Sequence, residues 1–231
     1  MKRLLFTLSL AAAVVLASVA GDASADTADG GAPAPAPVPA PAPAREPLEG
    51  AKLETLLGDV AKARKGVRTM RANFTQERTL TLLATSVKSS GELALVVPDR
   101  LRWELAAPDD IVYLIGPEGL SYKTRSSKAT VPATGANIAK ALADLRALLG
   151  GDLTFLKERY VLSGSRGTND VEIAGTAKDK TAAVRAFTLT LDKTLVVPVK
   201  AKLLEGKSDA IDIVFSNPQV NVPIDPATMR P

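Results

Sequence analysis

Hydrophobic and polar residues alternate along residues 70–82, and this period of two is typical of a β-strand with one buried face. The alternation resumes after a break around Ser89-Ser90-Gly91 and again after Pro98-Asp99. In the last segment, residues 101–105, every second side chain is apolar. Strands joined by short turns in this way predict an antiparallel meander with one apolar face and one solvated face.

The same pattern returns along the rest of the chain. Further strands are predicted at residues 111–115, 120–123, 160–163, 171–174, 184–191, 195–204 and 211–215. About ten antiparallel strands in sequence order cannot stay flat, because each strand is twisted relative to its neighbour. We therefore expect the sheet to curl into an incomplete barrel.

Helical spacing of hydrophobic residues interrupts the strand pattern in two places. Residues 47–65 predict an amphipathic helix before the first strand, and residues 137–149 predict a second helix between strands, with a short helical turn at Phe155-Leu156. A helix inserted into a meander has to lie across the sheet or at its open end. The predicted fold is α+β: a curled antiparallel sheet that forms a half-open β-barrel covered by helices.

The N-terminus is typical of a secretory signal peptide. Lys2-Arg3 precedes an apolar run, and the small residues Ala23-Ser24-Ala25 follow it. We expect residues 1–25 to be cleaved off and the protein to reside in the periplasm; the alternative is an uncleaved membrane anchor, for which the apolar run is slightly short. Residues 26–47 contain an Ala-Pro repeat that favours extended polyproline II and predicts a spacer, and residues 48–231 form the predicted domain.

Composition removes most catalytic chemistry. The chain has no histidine and no cysteine, which excludes Ser-His-Asp and Cys-His catalysis, imidazole and thiolate metal sites, disulfides and a lipidated cysteine. Without the signal peptide, 27 basic and 24 acidic side chains remain, a net charge of +3, and the basic residues are scattered. This balance argues against a nucleic-acid partner. We therefore expect a protein that is not an enzyme and needs no cofactor or metal.

An exported apolar concavity without catalytic groups suits an apolar ligand. Burying one CH₂ group is worth about 0.8 kcal/mol, so a sixteen-carbon acyl chain gains roughly 12 kcal/mol. The candidate lining residues are Phe74, Leu93, Leu95, Trp103, Leu105, Tyr113 and Tyr122 on the sheet, and Leu142, Leu145 and Leu149 on the covering helix. Trp103 can equally be an ordinary core residue, because large aromatic side chains are often buried.

Short motifs in the first half of the domain carry a family resemblance. They are Phe74-Thr75-Gln76, then Gly91-Glu92-Leu93, then Pro98 a few residues before Trp103. Placed after an N-terminal helix, they resemble the periplasmic outer-membrane lipoprotein carrier family (LolA-like), of which this chain looks like a divergent member. The match is specific from residue 48 to about 125 and is one of pattern and length beyond that.

The resemblance implies an unclosed barrel whose helical lid encloses the acyl chains of lipoproteins. It also implies an inner-membrane ABC transporter that releases the cargo and an outer-membrane acceptor that receives it. We expect the carrier to be a monomer and to shuttle lipoproteins from the inner to the outer membrane. The alternative is a tethered envelope module of the same fold that binds or senses a different lipid.

One position departs from the family pattern. Well-known members have Lys-Arg before the proline of the second strand, and the resemblance implies that this arginine latches the lid. Here the corresponding residues are Val96-Val97, and a valine side chain cannot donate a hydrogen bond. Arg100 and Arg102 are nearby, but they belong to the polar face of the next strand, where we expect them to be solvated.

Overall fold

The computed structural model describes residues 44–117, 119–131, 137–206 and 208–230. The predicted signal peptide and most of the predicted spacer, residues 1–43, lie outside the described residues. Within the part that is described, the chain forms twelve β-strands and three α-helices.

Twelve strands succeed one another along the described chain. They are β1 (Glu46–Leu48), β2 (Thr69–Leu80), β3 (Thr85–Val96), β4 (Arg100–Leu105), β5 (Ile111–Gly116), β6 (Gly119–Lys123), β7 (Lys128–Val131), β8 (Tyr160–Arg166), β9 (Asp170–Ala177), β10 (Val184–Asp192), β11 (Pro198–Glu205) and β12 (Asp209–Val220). The helices are α1 (Gly50–Arg64), α2 (Asn137–Gly150) and α3 (Leu153–Arg159). Single 3₁₀ turns occur at Thr81–Leu83 and Pro226–Met229.

All twelve strands belong to one sheet in the order β1-β8-β9-β10-β11-β12-β2-β3-β4-β5-β6-β7. Every pairing between neighbours is antiparallel. Among the described residues β1 and β7 are the two edges and do not pair with each other. The predicted unclosed antiparallel barrel with covering helices is therefore confirmed, and β1 and β7 are strands that the sequence pattern did not indicate.

Alternation of side chains builds the core. On β10, Phe187, Leu189 and Leu191 are buried while Thr188 and Thr190 are only partly buried, as the period of two requires. The inward residues of the other strands join them in one apolar cluster with the buried faces of the helices. The helices contribute Leu56, Leu57 and Val60 from α1, Leu145, Leu148 and Leu149 from α2, and Leu156 from α3. The helices thus lie on the inner face of the sheet.

The expected break at residues 89–91 is wrong, because β3 runs through it without interruption. The turn lies earlier, at residues 81–84, directly after β2. Gly91 is a packing residue: a Cβ atom there would collide with the backbone oxygen of Glu104 and lie 2.7 Å from the Phe74 ring. A glycine inside a strand can mark such a close approach as well as a turn.

The domain begins earlier than Leu48, and α1 begins later than predicted. Residues Glu46–Leu48 pair with β8, so that Pro47 lies in an edge strand and not in the helix. Arg45 extends this attachment through ion pairs with Asp170 at 2.7 Å and Glu172 at 2.8 Å. Proline is tolerated in an edge strand, where no neighbour needs its missing N–H.

Candidate functional site

Helices α2 and α3 form a cover over the interior, which we call the lid (residues 137–159). In chain order they connect β7, at one edge of the sheet, to β8, beside the other edge. Helix α2 contacts β3 and β5 in one half of the strand order and β10 in the other half. The lid therefore crosses the inner side of the curled sheet.

The structure brings the predicted lining residues together. All ten belong to or pack against the same apolar cluster. Buried members are Phe74, Leu93, Leu95, Trp103, Leu105, Tyr113, Leu145 and Leu149, and partly buried ones are Tyr122 and Leu142. The sheet residues and the lid residues thus meet face to face.

Three aromatic rings pack together on the inner face of the sheet. The Trp103 ring stacks on Phe74 with centroids 3.9 Å apart, and Phe215 approaches Trp103 edge-on at 6.5 Å. Burial removes water from Tyr113 and, with the nearby charge of Asp109, raises the pKa of its phenol to about 12. In this closed form Trp103 is part of the core, and it lies on the surface that the lid covers.

Almost fully buried apolar side chains pack between the lid and the sheet. A cavity of about 10 Å³ lies between α1, the lid and strands β9 and β10, beside Val60, Leu156 and Ile173. A cavity of that size holds about one water molecule. An acyl chain does not fit into this cavity, so binding one there requires the lid to move away from the sheet.

Arg64, at the end of α1, holds the lid through a hydrogen bond to the lid's backbone. It is 6% exposed, and its guanidinium donates hydrogen bonds to the backbone oxygens of Leu149, in the lid, and Val196, at 2.8 Å. Burial lowers its pKa to about 10. Gly151 makes room for this contact, since a Cβ atom there would lie 2.7 Å from Arg64 Nε and its φ of +74° favours glycine.

A second arginine, Arg146 of the lid itself, holds the lid through a hydrogen bond to the backbone of a turn between two strands. Arg146 Nη1 donates to the backbone oxygen of Asp99, in the turn between β3 and β4, at 3.1 Å. Val97, which the sequence resemblance aligns with an arginine of well-known members, packs against the apolar cluster. The lid of this chain is thus attached by arginines at other positions, one of them on the lid itself.

A buried carboxylate lies inside the lid. Asp144 accepts hydrogen bonds from Tyr160 Oη at 2.8 Å and Arg159 Nη2 at 3.2 Å. Burial raises the pKa of this carboxyl, while the bond from Tyr160 and the charge of Arg159 oppose the rise. Burial of the Tyr160 phenol raises its pKa, and the negative charge of Asp144 and the hydrogen bond to it raise this pKa further.

Sequence reasoning missed these polar groups, although a signal for them exists. Arg64 follows Val60 by four positions, and Asp144 lies three positions after Ala141 and four before Leu148. Residues at these separations share one face of a helix. Each charge therefore falls on an apolar face, where it needs a partner.

The expectation that Arg100 and Arg102 are solvated is wrong. The C-terminal segment, residues 221–230, returns across this outer face, where Arg100 Nη1 donates to the backbone oxygen of Met229 at 3.3 Å. Arg102 pairs with Glu104 at 2.5 Å. A groove of about 210 Å³ between this segment and the sheet carries side chains of both charge signs, so no single charge selects an ionic ligand there.

The described part of the chain offers neither a cluster of metal ligands nor a helix that could cross a membrane. No group of three or more acidic, histidine or cysteine side chains that could hold a metal ion is found there. Of the helices in those same residues, none has the length and apolar composition that crossing a bilayer requires.

Solved structures offer distant likenesses. A LolA superfamily protein from Nitrosomonas europaea is 8% identical, with a TM-score of 0.43 over 78% of this chain and 97% of its own. A putative outer membrane lipoprotein-sorting protein domain from Vibrio parahaemolyticus is 12% identical, with a TM-score of 0.45 over 77% and 96%. The lipoprotein LppX of Mycobacterium tuberculosis is 15% identical, with a TM-score of 0.39 over 74% and 98%.

Comparison with curated protein sequences finds no match. The family model described as "Outer membrane lipoprotein carrier protein LolA" does match, over residues 65–230. This range runs from the end of α1 through every later strand and the whole lid. It covers well over half of the chain, and the protein belongs to the outer membrane lipoprotein carrier family.

Proposed function

We propose that the protein is a periplasmic carrier that binds the acyl chains of lipoproteins between its lid and the inner face of its sheet. It then shuttles them from the inner to the outer membrane. One observation carries the proposal: the predicted sheet and lid residues meet in a single apolar surface under a helical segment that crosses the curled sheet. Membership of the carrier family supports it.

Loading exchanges one apolar contact for another. In the closed form Leu145 and Leu149 of the lid cover the sheet residues, and the cavity between α1, the lid and the sheet has room for about one water molecule. An acyl chain that takes the place of the lid keeps the apolar sheet residues away from water. Burial of the chain itself contributes a favourable free energy of about 0.8 kcal/mol per CH₂ group. The cargo itself thus supplies the free energy that opening the lid costs.

Partners give the transport its direction. A carrier without a nucleotide site transfers cargo toward whichever protein binds it more tightly. We therefore assign release to an inner-membrane ABC transporter and receipt to an outer-membrane acceptor, as in the family. The mass of the exported protein separates this carrier from a tethered module, because a diffusing carrier must begin near Asp26.

Leu145→Asp tests the lid surface. Leu145 is buried against the sheet, so a carboxylate there should abolish binding of a fluorescent fatty acid while the far-ultraviolet circular dichroism of the sheet is retained. Lys140→Asp is the matched control, because it places the same side chain on an exposed position of the same helix. Equal binding by wild type and Leu145→Asp would remove the lid from the binding site.

Native mass spectrometry of protein purified from its own envelope tests the cargo. We expect a bound lipid or lipoprotein in the wild type and none in Leu145→Asp. Wild-type protein that is always recovered empty, and that binds no acyl probe, would overturn the proposed function.

A further inference from the structure

The turn between β2 and β3, Thr81–Ala84, ends a long hairpin. Strand β4 pairs with residues Gly91–Val96 of β3 only, while β3 begins at Thr85. On that side the hairpin extends past its neighbour by six residues, or roughly 20 Å at about 3.3 Å per residue. We call the turn and its two leucines the tip.

The tip presents two adjacent leucines to solvent. Leu82 is 95% exposed and Leu83 is 67% exposed. No charged residue occurs from Thr79 to Val87. The other exposed large hydrophobic residues of the described chain are single positions on strands, such as Val161, and scattered residues of that kind are normal. The pair at the tip is the unusual feature.

The tip is held in place and is not a loose loop. Strand pairing continues to Leu80 and Thr85, and Ala84 N donates to Thr81 O at 3.2 Å. Thr81 also donates hydrogen bonds to the backbone oxygen of Ser208, in the turn before β12, at 2.8 Å and to the carboxylate of Asp209, the first residue of β12, at 3.1 Å. The leucines are therefore positioned outward before any partner arrives, and little conformational entropy is lost when they are buried.

The size of this surface favours one kind of partner. Two leucine side chains offer roughly 200 Å² of apolar area, whereas a stable protein interface buries about 1,000 Å² over both partners, or roughly 500 Å² on each. A bilayer has no such threshold, because its affinity scales with whatever apolar area enters it. We propose that the tip inserts Leu82 and Leu83 into the boundary between headgroups and acyl chains of a phospholipid membrane.

This insertion would orient the barrel. The inner face of β2 continues from buried Phe74 through Gln76 and Arg78 toward the tip. Gln76 bonds to Ser89 at 2.9 Å and Arg78 to Glu205 at 3.0 Å, so polar pairs close this end of the interior. Docking through the tip would bring the same end against the bilayer. The inference goes beyond the proposed function, because it concerns the approach to a membrane and not the cargo.

Vesicle partitioning tests the proposal. Two leucines bind a bilayer more weakly than a myristoyl chain does, so the partition coefficient is measured by titration with phosphatidylcholine vesicles at high lipid concentration. The value for the double variant Leu82→Ser, Leu83→Ser should be about a hundredfold lower than for wild type. Val161→Ser is the control, because it removes a side chain of 63% exposure on β8, which four strands separate from β2 in the sheet, and it should bind as wild type does. Salt should have little effect, since the tip carries no charge.

A local probe reads the tip itself. The chain has no cysteine, so Thr85→Cys can be labelled uniquely with an environment-sensitive dye while both leucines are kept. We expect the dye emission to shift to shorter wavelength with vesicles, and the same dye on Val161→Cys to stay unchanged.

The proposal is overturned if wild type and the double variant partition equally, if salt abolishes the binding, or if the dye at residue 85 does not respond. A protein partner for the leucines would then be the remaining interpretation. Fatty-acid binding without vesicles should be equal in wild type and double variant. If acyl binding fails in the wild type while tip-dependent partitioning persists, only the proposed carrier function is lost.

Discussion

Arg64→Met should loosen the lid without unfolding the sheet. The guanidinium of Arg64 reaches from α1 to the backbone oxygens of Leu149 and Val196. Only the bond to Leu149 joins the lid. Methionine keeps most of the apolar stem of the side chain, so the substitution removes the charge and both bonds with little change in packing.

The expected magnitude follows from the burial of the charge. The pKa of Arg64 falls from 12.5 to about 10, which at about 1.4 kcal/mol for each tenfold change corresponds to a burial cost of roughly 3 kcal/mol. Two charge-assisted hydrogen bonds return about 1.5–3 kcal/mol each. The free energy of unfolding should therefore fall by about 0–3 kcal/mol. In wild type, opening the lid breaks the bond to Leu149 but also returns the charge of Arg64 to water, and this hydration offsets part of the loss. We therefore use the lower limit of about 1.5 kcal/mol for one charge-assisted hydrogen bond, which means that the open population of Arg64→Met rises about tenfold.

Amide hydrogen exchange measures the opening locally. The buried turn of α2 around Leu145 and Leu148 should exchange about tenfold faster in Arg64→Met, while amides of the central strands keep their protection. Arg71→Met is the matched control, since it removes an arginine whose side chain is 53% exposed on the outer face of β2. Unchanged exchange in α2 would refute the role of Arg64 in closing the lid, whatever happens to global stability.

Three further predictions concern the sheet, the buried acid and the aromatic centre. Gly91→Ala should lower the free energy of unfolding in urea by about 3 kcal/mol or more, because the new Cβ atom meets the backbone of Glu104. Gly58→Ala, whose Cβ atom has nothing within 4 Å, should be neutral or stabilising. Equal effects of the two substitutions would refute this packing argument. Burial raises the pKa of Asp144 above its usual 3.8, so its contribution to stability is present below about pH 4 and is lost as the pH rises through the raised value. Urea titrations of Asp144→Asn should lack this pH-dependent loss, and a profile identical to that of wild type would contradict the assignment. Trp103 is the single tryptophan, so its emission should change when an acyl ligand separates lid and sheet, and constant emission at saturation would argue against binding there.

Much of the sheet could be predicted because most of its strands bury one face and expose the other to solvent. Where alternation is clean, as along residues 101–105 or 187–191, the predicted and observed strands agree within a residue or two. The pattern failed where a strand leaves the core: most of residues 85–90 of β3 are polar and exposed, and the break predicted around residues 89–91 lies inside this strand. The edge strand β1 is three residues long, too short for any period to appear.

The candidate site was predicted in part for the same reason. Phe74, Trp103 and Leu145 could be assigned to one apolar surface because strand and helix periods fix which way each side chain faces. The fastening of the lid could not be assigned, because Arg64 and Arg146 bond to backbone oxygens, which have no signature in the sequence. The one local signal is that Arg64 lies four positions after Val60, on the apolar face of its helix, where a charge needs a partner.

A curled antiparallel sheet with helices on its apolar side could be predicted from the residues alone, because periodic burial is a local property that each segment carries with it. How the lid is held and where the C-terminal segment lies emerge only when the chain is folded. Those features depend on contacts between residues far apart in the chain, such as Arg64 with Val196 and Arg100 with Met229. No local pattern specifies which of many possible partners such a side chain will meet.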